Sequence, residues 1–434
     1  MKKISFYTFG CRLNQSETAS IENSFEQGGW QVVDFDEPSD IVVINTCTVT
    51  EGGDADTRRL VHKVNRLNPG ARIALVGCQA QIQKEKLASL PGVCWIVGNG
   101  RKMDLLSVLS EFPQPQAARL IVPVMERRPF RLPVPSVDRG HTRANIKIQD
   151  GCDFFCSFCE IPYARGRARS RVFDDVLTES RALLAAGHKE LVLTGINIGT
   201  YSYEEKTLMD IVGAVNAMEG LERLRISSIE PTTVPKGLCG YMKAGGKLVP
   251  HLHIPLQSGD NEVLGWMKRK YTVEEFRDFI GEAIAEVPQI CIGTDVIVGF
   301  PGETDAHFDR TVETLRQLPL HYVHVFSYSP RHMAKSRLKE TLPAAVIARR
   351  SEILRDLSAA KRKSFYESLL GTTQKVLFER PKTDGWQYGL TGNYVRVKIQ
   401  GPCELTNQIL PVRLNSIDGL CVVGDLSPDP GSAR

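Results

Sequence analysis

The sequence predicts an α/β protein in three parts: an N-terminal parallel α/β sheet domain, a central partial (βα)6 barrel and a small C-terminal β-barrel. Three observations predict this. Strand-like and helix-like runs alternate over residues 1–112 and again over 138–368, which is the pattern of parallel sheets with covering helices. Short strand-like runs separated by turn residues fill residues 369–434. A stretch crowded with prolines 113, 115, 123, 129, 133 and 135 separates the first two parts, so residues 113–137 read as a semi-rigid linker.

Composition limits the function classes. In 434 residues, 54 Lys and Arg stand against 50 Asp and Glu, a net charge of +4, so wholesale coating of nucleic acid is excluded and any RNA contact must be local. Eleven cysteines, an odd number placed mostly near strand ends, fit metal binding in a reduced compartment better than disulfides. No apolar run approaches the ~18 residues of a membrane span. Met1-Lys2-Lys3 before Ile4–Gly10 and Cys11 faintly mimics a lipoprotein signal, but Ser5 and Thr8 break its short apolar core. Cytoplasm is the expected location.

In residues 1–112 the strand-like runs are Ile4–Thr8, Ile41–Asn45, Ile73–Gly77 and Trp95–Val97, with helical runs at Gln15–Gln27 and Asp56–Leu67. Cys11, Cys47 and Cys78 each follow one of these strands. The carboxyl ends of parallel strands share one edge, where ligands bind, so three cysteines distant in sequence are brought together. A single buried Cys is commonly a small apolar residue; three at matching strand ends are not explained that way. Cys94 precedes its strand and belongs to the opposite edge.

The central part has six strand-like runs: Ile146–Ile148, Leu191–Leu193, Leu224–Ile226, Leu252–Pro255, Asp295–Val298 and Val323–Phe326. Chemistry in such a barrel lies at the carboxyl ends of the strands. After the first comes Gly151-Cys152-Asp153-Phe154-Phe155-Cys156-Ser157-Phe158-Cys159. Thiolates at this C-x3-C-x2-C spacing can converge on an iron–sulfur cluster and leave one iron open. The alternative is a zinc knuckle with a borrowed fourth ligand. Gly195, Glu230, Gln257, Gly299 and Glu303 follow the next strands and are candidate cofactor contacts, although a glycine in such a turn is as often structural. His251 and His253 alternate on the fourth strand and read as a hydrogen-bonded or packed pair. Arg165, Arg167, Arg169 and Arg171, with Lys268-Arg269-Lys270, read either as solvated faces or as phosphate contacts. A basic helix over Ala344–Leu370, ending at Gly371, leads to β runs Gln374–Phe378, Tyr394–Lys398, Gln408–Leu414 and Leu420–Val423. A small barrel of this kind suits RNA binding.

The central cysteine loop resembles the signature of the radical S-adenosylmethionine (SAM) superfamily. The resemblance implies a [4Fe–4S] cluster whose open iron binds SAM, and reductive cleavage of SAM to a 5′-deoxyadenosyl radical. The segments TFGCRLNQSET, NTCTVT and VGCQAQ resemble the N-terminal domain of the methylthiotransferases, which implies a second [4Fe–4S] cluster on Cys11, Cys47 and Cys78. The C-terminal part resembles the TRAM domain of tRNA-modifying enzymes, and VIVGFPGE an adenine-contacting segment. In such enzymes one SAM methylates a sulfur at the auxiliary cluster and a second yields the radical that activates an aromatic C–H. The N-terminal segments look most like the branch acting on threonylcarbamoyladenosine in tRNA, next to the anticodon. Branches acting on isopentenyladenosine or a ribosomal-protein aspartate, or a non-catalytic RNA-binding iron–sulfur sensor, are the alternatives. Arg12-Leu13 stands where Lys-Val is more usual, and RHMAKSRL after Pro330 where Gly-Thr-Pro is usual. The expected partners are tRNA, a flavodoxin- or ferredoxin-type electron donor and a sulfur donor.

Overall fold

The computed structural model describes residues 1–113, 117–134, 142–380, 385–401 and 404–427. Pro115, Pro135 and Cys403 therefore lie outside the described residues.

The first part is a six-stranded parallel sheet. Its strands are β1 (Lys3–Thr8), β2 (Gln31–Val33), β3 (Ile41–Thr46), β4 (Arg72–Gly77), β5 (Val93–Val97) and β6 (Arg119–Ile121), in the order 2-1-3-4-5-6. Every residue of β3 is buried, because helices cover both faces. Ile41 and Val43 pack on one side with Ile21 and Phe25 of the helix Arg12–Gln27. Val42 and Ile44 pack on the other with Leu60, Val61 and Val64 of the helix Glu51–Leu67. A strand buried on both faces reads as a continuous apolar run, as this one does. Residues 119–121, inside the Pro-rich stretch read as a spacer, pair with β5 as an edge strand. Cys94 lies within β5 rather than before it, still at the amino end.

Six parallel strands form the second part: β7 (Arg143–Lys147), β8 (Glu190–Thr194), β9 (Arg223–Ile226), β10 (His251–His253), β11 (Cys291–Val298) and β12 (Tyr322–Ser327). β7, β8 and β9 make one ladder and β10, β11 and β12 another. Single parallel bridges, Leu224 to Leu248 and Ser228 to His253, join the two into one open barrel. One large apolar core underlies it, including Ile146, Leu193, Ile226, Leu252, Val296 and Val323.

The helix Ala344–Glu367 then leads to a closed five-stranded barrel: β13 (Thr373–Phe378), β14 (Trp386–Thr391), β15 (Arg396–Gln400), β16 (Ile409–Asp418) and β17 (Cys421–Leu426), with ring order 13-14-15-17-16. It is docked on the central part. Arg223 Nη1 donates to Leu390 O at 2.8 Å and Arg225 Nη1 to Gly392 O at 3.0 Å.

Candidate functional site

The N-terminal cysteines meet at one edge because of the residues around them. Cys11 caps the helix that follows β1, Cys47 follows β3, and Cys78 opens the short helix after β4. Gly10 has φ +99°, and a Cβ there would lie 3.0 Å from Cys47 Sγ. Only glycine lets the loop of Cys11 rest on Cys47. Asn14 then ties the loops: its Nδ2 donates to Phe9 O at 2.8 Å and Thr46 O at 3.2 Å. Thr46 Oγ1 donates to Val76 O at 2.7 Å and accepts from Ala80 N at 3.2 Å, adding the Cys78 loop. Burial pushes the Cys47 thiol up to about 12, and the nearby thiols of Cys78 and Cys11 add to the shift. Three thiols gathered at one edge, Cys78 buried and Cys11 open to solvent, suit an iron–sulfur cluster.

The central loop is built the same way. Gly151 has φ +71°, and a Cβ there would lie 2.2 Å from Arg167 O, so the loop folds tightly onto residues 166–167. Donors point at all three sulfurs: Phe154 N at 3.5 Å from Cys152 Sγ, Ile161 N at 3.4 Å from Cys159 Sγ, and Arg269 Nη1 at 3.2 Å from Cys156 Sγ. Burial raises the Cys152 thiol to about 11 and the Cys159 thiol further. Burial also raises Cys156, and the Arg269 charge opposes it. Such donors stabilise thiolates bound to iron and tune a cluster's potential.

The two cysteine sets open on neighbouring cavities. One, of about 640 Å³, is bordered by Gly10 and Cys11 and runs to Gly195, Ser228, Tyr322 and Tyr394. The other, of about 200 Å³, touches Thr48, Phe158, Cys159, Gln257 and Ile297. Asp295 and Phe326 border both. Gln257 reaches its place with φ +71°. Glu230 is ion-paired with Arg269, the donor to Cys156. Gly299 and Glu303 border neither of these two cavities. Glu303 Oε1 accepts from Gly299 N at 3.1 Å and pairs with Arg350, so both face the helix Ala344–Glu367.

The arginine series is not a phosphate surface. Arg165 is buried against Glu17 and Asp150, at 3.0 Å from each. Arg169 pairs with Asp150 at 3.0 Å, Arg167 with Asp153 at 2.6 Å, and Arg171 with Asp175 and Glu179. Arg269 points inward while Lys268 and Lys270 stay exposed. His251 and His253 are a hydrogen-bonded pair, meeting Tyr322 Oη at 3.0 and 3.2 Å. His253 also meets Asp295 at 2.9 Å.

Sequence reasoning missed the residues that fasten the two cysteine domains together. Arg331, within RHMAKSRL, donates to Asp54 at 2.7 Å and Thr48 at 3.0 Å, and Thr48 donates to Glu160 at 2.9 Å, beside Cys159. Glu17 and Lys147 do the same, at 2.6 Å. A Glu among polar residues of a helix carries no local signal of a cationic partner 130 positions away.

Comparison with known proteins agrees with this geometry. Residues 146–315 match the radical SAM superfamily, and residues 3–98 match the uncharacterized protein family UPF0004. The structure of TsrM, a radical SAM methyltransferase of Kitasatospora setae, aligns with a TM-score of 0.56 and 16% identity over 75% of this chain and 73% of that one. A radical SAM protein is therefore the class that fold and site define. The threonylcarbamoyladenosine tRNA methylthiotransferase MtaB of Aquifex aeolicus is 37% identical, covering 93% of this chain and 98% of its own. The MtaB of Bacillus subtilis is 35% identical over 95% and 94%. The tRNA-2-methylthio-N(6)-dimethylallyladenosine synthase of Chromobacterium violaceum is 32% identical over 96% of each chain. This chain belongs to the radical SAM tRNA methylthiotransferases, enzymes that use SAM and [4Fe–4S] clusters.

Proposed function

We propose that this enzyme methylthiolates C2 of N6-threonylcarbamoyladenosine next to the anticodon of tRNA. Cys152, Cys156 and Cys159 would hold the SAM-binding cluster, and Cys11, Cys47 and Cys78 the auxiliary cluster. Bound there, the clusters and SAM supply radical chemistry and a methylated sulfur, which suits an adenine C2–H that resists ionic substitution. The chain's own residues position and seclude. Gln257 and Ile297 border the cavity beside Cys159, where the adenine of SAM would lie, and Gly195, packed against Ile198 and Gln149, borders the neighbouring cavity. Arg269 holds Glu230 and Cys156 in one arrangement. Arg331 and Glu17 close the two domains on each other, so a radical meets its sulfur source before water does.

The observation that supports the choice of substrate is the set of hydrogen-bonding and cationic side chains on the wall of the larger cavity. Its wall includes Arg12, Gln15, Arg143, Ser227, His251 and Tyr322. An isopentenyl group would leave the Arg12 guanidinium without an anion, whereas a threonylcarbamoyl group brings a carboxylate to meet it. A cytoplasmic location, a flavodoxin- or ferredoxin-type electron donor, a separate sulfur donor and RNA contact by the TRAM-like C-terminal barrel belong to the same reading.

Nucleoside mass spectrometry of tRNA from a host lacking its own methylthiotransferases, with and without this gene, tests it. Methylthio-threonylcarbamoyladenosine should appear and methylthio-isopentenyladenosine should not. The reverse result would reassign the substrate.

A further inference from the structure

The larger cavity contains one cation that stands apart. Arg12 follows Cys11 directly and reaches into the C-terminal barrel, where its Nη2 donates to Tyr394 Oη at 2.9 Å. Among the described residues Arg12 has no carboxylate partner, and Arg143 and Arg225 lie close enough to repel it. The neighbouring cations each have a carboxylate partner, Arg143 in Glu379 at 3.2 Å and Arg225 in Glu190 at 2.7 Å, although Arg143 Nη1 is left without one. Asp295, the carboxylate on the cavity wall, is engaged by His253 at 2.9 Å and His324 at 3.4 Å. A half-buried guanidinium without an anion is unfavourable, and a carboxylate arriving from the ligand offsets that cost.

Tyr394 holds this arginine in place and is itself constrained. Its backbone sits at φ +66°, uncommon for a residue with a side chain. Its ring stacks on His251 at 4.2 Å between centroids with the planes 23° apart. The cation is thus pre-set on the cavity wall that also carries Cys11. In adenine C2 and C6 both flank N1, so a base with its C2 near Cys11 would keep its N6 substituent on the same edge of the ring, on the side of the wall that carries Arg12.

The geometry points to Arg12, positioned by Tyr394, as the specificity-determining residue that receives the carboxylate of the threonylcarbamoyl group. This rests on the substrate reading above. The planar fork suits bidentate pairing with a carboxylate and offers nothing to an isopentenyl group.

The test uses reconstituted full-length enzyme and three purified tRNAs: threonylcarbamoyl-modified, the same with its carboxylate blocked as a methyl ester, and isopentenyl-modified. Arg12→Met should lower kcat/KM on the acid form roughly 10- to 100-fold, the loss of a charged hydrogen bond. It should narrow the difference in kcat/KM between the acid and ester forms and leave iron content and tRNA-independent 5′-deoxyadenosine formation unchanged. Arg12→Lys should recover part of the loss, and Tyr394→Phe should produce a smaller loss of the same kind. Equal activity of wild type and Arg12→Met on the acid form overturns this inference and leaves the substrate reading standing. Loss of iron or of SAM cleavage in both Arg12 variants also overturns it, assigning Arg12 to the fold. A wild type inactive on threonylcarbamoyl tRNA but active on isopentenyl tRNA overturns both readings.

Discussion

Lys147 Nζ lies 2.6 Å from Glu17 Oε1, and both side chains are buried, Glu17 in the N-terminal sheet domain and Lys147 on the first strand of the radical SAM barrel. The same carboxylate also receives Lys102 and Arg165, and Arg165 in turn reaches Asp150. One anion therefore ties the edge that bears Cys11, Cys47 and Cys78 to the strand that leads into the loop of Cys152, Cys156 and Cys159. Removing it would leave three cations buried with too few partners.

Glu17→Gln should destabilise the protein by about 3–5 kcal/mol near neutral pH, the range for breaking a buried ion pair. Burial by itself would raise the Glu17 pKa, but Arg165, Lys102 and Lys147 outweigh it and hold the group far below 4.5. Its contribution is thus fully present above the unfolded-state value and fades as pH falls below it. Thermal melts from pH 7 downward should show wild type losing stability in acid more steeply than the variant. Parallel curves would count against this account of Glu17.

Arg269→Met removes the donor to Cys156 Sγ and the partner of Glu230. With a positive charge and a hydrogen bond to sulfur gone, the reduction potential of the SAM-binding cluster should fall by something on the order of tens of millivolts. An electron-paramagnetic redox titration reads this directly. Reductive SAM cleavage should slow at fixed donor potential, and an unshifted potential would show that Arg269 acts only in packing.

Deleting residues from Gly371 onward should weaken tRNA binding and flatten its salt dependence by roughly 0.7 log unit for each phosphate that the barrel neutralises. The deletion also strips Arg223 and Arg225 of the carbonyls of Leu390 and Gly392. A lower melting temperature of the remaining core should therefore accompany the weaker binding. An unchanged salt slope would exclude the barrel as an RNA-binding element.

All six strands of the central barrel were legible from apolar runs bounded by turn residues, and so was the gathering of Cys11, Cys47 and Cys78 at one edge. The reason is physical: strands with local apolar runs are written locally, and the carboxyl ends of parallel strands must coincide. β2 and β6 were missed because Gln31–Val33 and Arg119–Ile121 are short edge strands that need only one partner. β14 was missed because Gly389 interrupts its apolar run; a Cβ there would lie 2.4 Å from Val376 Cγ1. The alternating arginines misled because their counter-ions are set by tertiary folding: Asp150 precedes Arg165 by 15 residues and Glu17 by 148. Arg12 was visible only as a departure from the usual residue pair, since Tyr394 lies 382 positions away.

The division of labour between the two cysteine sets is the central claim, and one triple variant tests it most directly. Cys11→Ala, Cys47→Ala and Cys78→Ala together should reduce iron from about eight to about four per chain after anaerobic reconstitution. The same protein should still form 5′-deoxyadenosine from SAM and should place no methylthio group on tRNA. A triple variant that keeps all its iron, or that still methylthiolates tRNA, would contradict the account.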